Sequence, residues 1–292
     1  MYLSSFRFAT KENEEDYRWG IKRTCYDSFY PFGVLTKNGL RMLDFEPVTI
    51  LYGGNGCGKT TALNIIAEKL GLERGTFFNR SNFFEDYLKY CDYETVSAIP
   101  KNSRIITSDD VFDFVLDLRC INEGIDNKRE ALFGEYFEDR DAHFQMKSLD
   151  DYAELKRRQL AKRKTQSKYV RACVADNVRE HSNGESAFMY FSDKIGENAL
   201  YLLDEPENSL SPENQIRLRD FIFESARFWN CQFIISTHSP FILSMKGAKI
   251  YDLDEEPVDV KKWTQLSNVR AYFEFFKEHE REFAMGNNGG IN

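Results

Sequence analysis

The chain has 292 residues, 42% hydrophobic and 15% aromatic, enough apolar surface for a sizeable core and one large domain, so a disordered chain is excluded. A formal net charge of −8 and a pI of about 5.3 exclude a general nucleic-acid coat, which would be basic, but leave room for a local basic patch. No run of about 18 apolar residues occurs, so no segment is expected to span a membrane.

The first residues, MYLSSFRFATKENEEDYRW, alternate like a strand over 1–8 and then turn acidic, without the apolar centre of a secretory leader. Six cysteines (Cys25, Cys57, Cys91, Cys120, Cys173 and Cys231) are scattered without a CxxC pair. They support neither a zinc site nor a disulfide framework and fit free thiols in a reducing cytoplasm. Residues 47–52 (PVTILY) form an apolar run ending in glycines, and 61–70 (TALNIIAEKL) read as a helix. Further buried strands are expected at 104–107, 199–203, 232–236 and 248–253. Strands separated by helical stretches make the fold class α/β with a mostly parallel sheet.

The stretch from about 75 to 190 is rich in charge, Phe and Tyr and reads as an inserted helical lobe within a single domain spanning 1–284. Its charge is segregated. Residues 121–154 hold ten acids against four bases, and 151–180 hold nine bases against four acids. The basic part, KRRQLAKRKTQSKYVR at 156–171, is either a solvated helix face or a contact for phosphate backbones or an acidic partner. Residues 285–292 are expected to form a disordered tail.

Four motifs carry chemistry. GGNGCGKT runs from Gly53 through Gly54, Asn55, Gly56, Cys57, Gly58 and Lys59 to Thr60, with Thr61 next. It fits the phosphate-binding loop G-x-x-x-x-G-K-[ST] and stands between an apolar strand and a helix. Glycines let backbone N–H groups curl around phosphate oxygens, and the following helix turns its positive end toward the same anion. Lys59 is assigned to the β- and γ-phosphates of ATP and Thr60 to Mg²⁺.

SNGES (Ser182 to Ser186) opens an apolar helix with free N–H groups, a site for an anion. ALYLLDEPENSLSP (199–212) delivers two carboxylates at the end of an apolar strand. Asp204 is read as the Mg²⁺ anchor and Glu205 as the general base that polarises water. FIISTHSP (233–240) ends another apolar strand in His238, placed to hold the γ-phosphate, the water and Glu205 in register.

In this order the four motifs resemble the ABC ATPase superfamily: Walker A, signature, Walker B with its catalytic glutamate, and the switch histidine. The GxNGxGK, DEPE-x-x-L-x-P and STHSP forms look closest to the SMC, RecF and OLD-type branch and to standalone bacterial AAA family ATPases of defence loci. The resemblance implies a P-loop head with a mostly parallel sheet, an N-terminal antiparallel lobe and an inserted helical lobe. It implies that Asn55 touches the γ-phosphate or the attacking water. It also implies that Ser182 and Gly184 reach the γ-phosphate of an opposite subunit, and that Asn208 to Leu210 form a loop crossing the dimer seam.

The sequence departs from the family pattern at His181, where the signature has leucine, and at Ser186, where transporter subunits have glutamine. No clear Q-loop glutamine follows the strand RIIT. Asp109 or Asp110 takes that place, unless both are helix-capping acids, and Gln145 is a further candidate. Tyr30 and Phe32 are the candidates for stacking on adenine.

The functional expectation is an Mg²⁺-dependent ATPase whose ATP-sandwiched homodimer closes and opens as a switch. Its partner is a separately encoded effector protein or a nucleic acid, with phage defence as the setting. The alternative is the nucleotide-binding subunit of an ABC transporter, from which the signature departures point away. Non-hydrolysing binding is opposed by the presence of Glu205 and His238.

Overall fold

The computed structural model describes residues 1–21, 25–141, 165–173 and 183–286. In it the apolar runs become strands buried at every residue: β3 (Val48–Tyr52), β6 (Leu200–Asp204) and β7 (Gln232–Ser236). Parallel strands covered on both faces need such unbroken runs. With β5 (Arg104–Thr107), β8 (Lys249–Asp252) and β9 (Asp259–Val260) they form a six-stranded sheet ordered β5–β6–β7–β3–β8–β9. Neighbours from β5 to β8 pair in parallel, and β9 runs antiparallel to β8.

The register aligns the strand ends. Thr107 lies beside Asp204, and Asp204 beside Ser236, whose other neighbour is Leu51. Loops that follow β3, β5, β6 and β7 therefore converge at the carboxyl end of the sheet, where open α/β sheets bind ligands.

The helices are α1 (Lys11–Gly20), α2 (Lys59–Leu70), α3 (Phe84–Leu88), α4 (Ser108–Asp141), α5 (Gln166–Cys173), α6 (Asn183–Lys194), α7 (Pro212–Phe228), α8 (Pro240–Leu243), α9 (Ser267–Glu278) and α10 (Glu280–Gly286). Alternate strand residues enter two different cores. Leu51, Leu202 and Ile234 pack with Leu63 and Ile66 of α2, while Ile50, Leu203 and Ile235 pack with Phe191 of α6 and Leu218 of α7. Among the described residues no helix is long and apolar enough to cross a membrane.

A second sheet is antiparallel, in the order β2–β1–β4, built from β2 (Met42–Asp44), β1 (Leu3–Arg7) and β4 (Asp92–Thr95). β4 was not expected from the sequence, because all four of its side chains are exposed and no apolar alternation marks it. Backbone pairing with β1, from Leu3↔Thr95 to Arg7↔Asp92, makes it a strand.

The chain divides into two compact units, Met1–Phe112 with Asn183–Asn292, and Asp113–Ser182. The stretch of about 75–190 read as a helical lobe thus differs at its start, since α3, β4 and β5 fall within it and belong to the first unit. In the second unit Leu132, Tyr136, Tyr169 and Val170 form a small cluster, and Gln166 Nε2 donates to Phe133 O at 2.9 Å. Residues 156–164 of the basic stretch lie outside the described residues, as do 287–292. Met285 and Gly286, expected in a disordered tail, close α10.

One fully buried side chain links the two sheets of the first unit. Gln232, the first residue of β7, accepts the N–H of Tyr2 at 2.7 Å and of Leu3 at 2.9 Å on Oε1, and its Nε2 donates to Leu3 O at 2.7 Å. Gln232→Leu is expected to lower the free energy of unfolding by roughly 3 kcal/mol or more, because buried backbone groups lose their partners. Urea denaturation measures this, and an unchanged midpoint would show that β1 reaches the core without this link.

Candidate active site

The loop after β3 owes its shape to glycine. Gly53 has φ 154° and Gly58 has φ 101°, values that side chains rarely adopt. A Cβ on Gly58 would lie 2.8 Å from Leu35 Cδ2, and one on Gly53 would lie 2.6 Å from Cys57 Sγ. Gly58 is also the N-cap of α2 and has no side chain to occupy the helix's first N–H groups, so these stay available to an anion. Lys59 is buried, and its Nζ donates to Gly53 O at 2.7 Å and Gly54 O at 3.1 Å. Asn55, Gly56, Gly58, Lys59, Thr60, Thr61 and Glu205 line a cavity of about 160 Å³ at this loop.

Asp204 ends β6 beside that cavity. Its Oδ1 accepts a hydrogen bond from Thr60 Oγ1 at 3.1 Å and another from Ser236 Oγ. Burial pushes the Asp204 carboxyl above its ordinary value, and the two hydroxyl donors pull it back. Two hard oxygen ligands, a carboxylate and a hydroxyl, thus stand together at the loop that holds phosphate. A magnesium ion that keeps waters and shares a phosphate needs such a pair, so the residues fit Mg²⁺. The glycine cradle and Lys59 fit its triphosphate. Ser236 was not singled out from the sequence, although it stands within the STHSP motif.

Glu205 adopts φ 47°, a left-handed conformation rare for a residue with a side chain. Its N–H donates to Ser236 O at 3.0 Å and its Oε2 accepts from Asn208 Nδ2 at 3.0 Å. Its Oε1 lies 3.5 Å from His238 Nε2. Burial first, and then the charge of Lys59, lower the His238 pKa, while Glu205 and Asp254 oppose the shift. A neutral imidazole facing a carboxylate suits a group that holds water rather than one that donates a proton.

The structure brings Lys59, Thr60, Asp204, Glu205 and His238 together. Gly184 stands elsewhere, in the first turn of α6, where an added Cβ would lie 3.1 Å from Asn214 Nδ2 and 3.4 Å from Ser211 N. Ser182 lies outside the described residues, as does Gln145.

A neighbouring cavity of about 430 Å³ includes Tyr30, Thr60, Asn64, Arg74, Asp109 and Asp204 in its lining. It separates the two aspartates that the sequence left open. Asp110 is buried and accepts Thr107 N at 2.7 Å and Thr107 Oγ1 at 2.9 Å, a cap for the start of α4, whereas Asp109 faces the cavity. Phe32 is corrected as an adenine candidate. It is buried and stacked on Tyr17 with centroids 4.2 Å apart, because it completes the core around α1. Tyr30 lines the cavity, with its hydroxyl on Thr61 Oγ1 at 3.2 Å.

Two residues that the sequence reading passed over belong to this region. Arg74 donates to Asn64 Oδ1 at 2.6 Å and lies over the Phe78 ring, and its buried Nη1 has no hydrogen-bond partner. Glu207 turns inward beneath His238 and accepts its N–H at 2.6 Å. A lone arginine in a turn and a second acid after DE carry no motif, so only their surroundings reveal them.

The His238 ring is expected to titrate below the usual histidine value of 6.5. A base depressed in the fold contributes stability that is lost as the pH falls below the unfolded value, where the unfolded chain takes the proton first. NMR titration resolves this ring from the other three of the chain's four histidines by comparison with His238→Ala. Lys59→Met should move the titration upward, and a ring that titrates at or above 6.5 in the unsubstituted protein overturns the assignment.

The family model described as ABC transporter matches residues 43–208, more than half of the chain, and the model described as AAA ATPase domain matches 183–243. No curated protein matches the chain. Among solved structures, the chain is similar to an SMC head domain from Thermotoga maritima at 14% identity, over 90% of this chain and 99% of that one, with a TM-score of 0.39. An Smc head domain bound to the C-terminal domain of ScpA, derived from Pyrococcus furiosus, is 14% identical over 80% and 95%, with a TM-score of 0.38. A dimeric ATP-binding cassette in a post-hydrolysis state with ADP and Pi is 13% identical over 76% and 88%, with a TM-score of 0.37.

Proposed function

The chain belongs to the ABC transporter family through its ATPase domain and binds and hydrolyses ATP, and on that premise we propose that hydrolysis drives a dimer switch acting on a separate partner. The observation that carries the reading is the convergence of three of the four motifs on one loop, with Asp204 on Thr60 at 3.1 Å and Glu205 at 3.5 Å from His238. In this reading the loop N–H groups of Asn55 to Thr61 and the Lys59 ammonium hold the phosphates, while the Gly54 N–H is taken by Asp254 at 2.8 Å. Thr60 and Asp204 hold Mg²⁺, which when bound neutralises phosphate charge. Glu205 takes the proton of the attacking water at its carboxylate, and His238 keeps that carboxylate in place.

A single loop leaves one side of a γ-phosphate open to water. Ser182 and Gly184 of a second copy would close it with helix-end N–H groups, making a head-to-tail homodimer that forms with ATP and not with ADP. Gly184 packs on Ser211 beside the Asn208–Leu210 loop, so the two segments assigned to the seam lie on one another. The opening and closing would act on a separately encoded effector in the cytoplasm, or on a nucleic acid. Resemblance to standalone ATPases of defence loci makes phage defence the setting. The signature departures at His181 and Ser186 speak against a transporter subunit.

Lys59→Ala should abolish most ATP affinity in calorimetric titration with Mg²⁺, since among the described residues Lys59 is the one cation lining the cavity at this loop. Glu205→Gln should bind ATP normally and lose turnover by about 10²-fold or more, while Asp204→Asn weakens Mg²⁺-dependent binding and turnover together. Turnover near normal in Glu205→Gln refutes the base.

In the Glu205→Gln background, sedimentation should show more dimer with ATP than with ADP, and Ser182→Arg should cancel the difference while ATP still binds. Persistence of the ATP-dependent dimer in Ser182→Arg would discard the signature.

A further inference from the structure

We propose that Glu207 is a positioning residue for ATP hydrolysis, holding the backbone of His238 so that its imidazole stays on Glu205. The inference rests on the roles read above for Glu205 and His238.

The turn after β6 aims Glu207 away from the phosphate loop. Glu205 leaves the strand in its left-handed conformation, and the segment closes on itself through Asn208 N to Glu205 O at 3.2 Å and Leu210 N to Glu207 O at 2.9 Å. The Glu207 side chain crosses beneath the end of β7. There its Oε1 accepts the N–H of His238 at 2.6 Å and of Ser239 at 3.1 Å. The Ser239 N–H has a second acceptor in Thr237 Oγ1 at 3.0 Å, so it is the His238 amide that needs the carboxylate. Pairing of β6 with β7 ends at Asp204↔Ser236, so the next residues have no strand partner on that side.

A second tie runs parallel to the first. Ser239 Oγ donates to Gln215 Oε1 at 2.7 Å, and Gln215 Nε2 donates to Leu210 O at 2.9 Å, again joining the turn after β6 to the turn after β7. The His238 carbonyl is fixed from the other side by Asn268 Nδ2 at 2.9 Å.

The imidazole is held less firmly, with its ring edge-on to Tyr52 at 6.5 Å between centroids. Its Nε2 is buried without a hydrogen-bond partner and stands 3.5 Å from Glu205. Ring position is therefore inherited from the backbone. That backbone is held by the Glu207 carboxylate, which belongs to the same short turn as the proposed base Glu205. Glu205 meets the ring of His238 and Glu207 its backbone N–H. The first faces the site and the second holds what stands opposite it. Glu207 Oε2 is buried without a hydrogen-bond partner, so a single acceptor oxygen performs this task.

The test compares Glu207→Ala, Glu207→Asp and Glu207→Gln in the full chain, by steady-state ATPase rate and by calorimetric ATP affinity. Ala removes the acceptor, Asp withdraws it, and Gln keeps one oxygen in place. Ala and Asp should lower kcat by about tenfold or more, the scale of a catalytic group displaced by a fraction of an ångström, with ATP affinity within about twofold. Gln should restore most of the rate.

The decisive arm repeats the substitutions in a His238→Ala background, where they should cost nothing further, since Glu207 acts through that ring. If Glu207→Ala does not fold, Glu207→Asp answers both arms. An unchanged kcat, or a loss that persists in full without His238, overturns the proposal. Glu205→Gln with normal turnover instead condemns the underlying reading of the base, whatever Glu207 does.

Discussion

Asp204 is where three separate segments of the chain meet. Its Oδ1 accepts from Thr60 at the start of α2 and from Ser236 at the end of β7, while its backbone ends β6. Burying a carboxylate is unfavourable unless donors surround it, and burial does push this one upward. Two hydroxyls from different elements offset that cost only if the loop, the helix and both strands hold their register. The proposed metal anchor is thereby tied to the same packing that forms the core.

Strain is placed around that point. Gly58 and Gly53 take conformations that a Cβ would obstruct, and Glu205 takes a left-handed one despite its side chain. Such backbone persists where the surroundings over-determine it. Around Glu205 they do, through its N–H on Ser236 O and its carboxylate on Asn208. The reversal lets neighbouring acids serve different ends: Asp204 on Thr60, Glu205 toward His238, and Glu207 beneath the turn after β7.

The antiparallel sheet reaches this site through its packing. Leu3 and Phe6 share a core with Leu63 and Ile66 on α2, the helix that begins at Lys59. Gln232 then joins the backbone of β1 to the start of β7, whose far end supplies Ser236. The position of the phosphate loop thus depends on both sheets of the first unit.

The sequence by itself determined the parallel strands, the phosphate loop and the order of the motifs. PVTILY, ALYLL and QFIIS are unbroken apolar runs, and β3, β6 and β7 form there because a strand buried on both faces has no other composition open to it. GGNGCGKT was legible because glycine spacing and lysine act locally, within a few residues of backbone. Only the tertiary structure decided what depends on distant neighbours. It turned Asp109 to a cavity, and it sent Phe32 into the core against Tyr17. It paired exposed β4 with β1, and it gave Glu207 the amides of a turn 31 residues away. Most of these outcomes are contacts between segments far apart in the chain, and neither periodicity nor local propensity encodes such contacts.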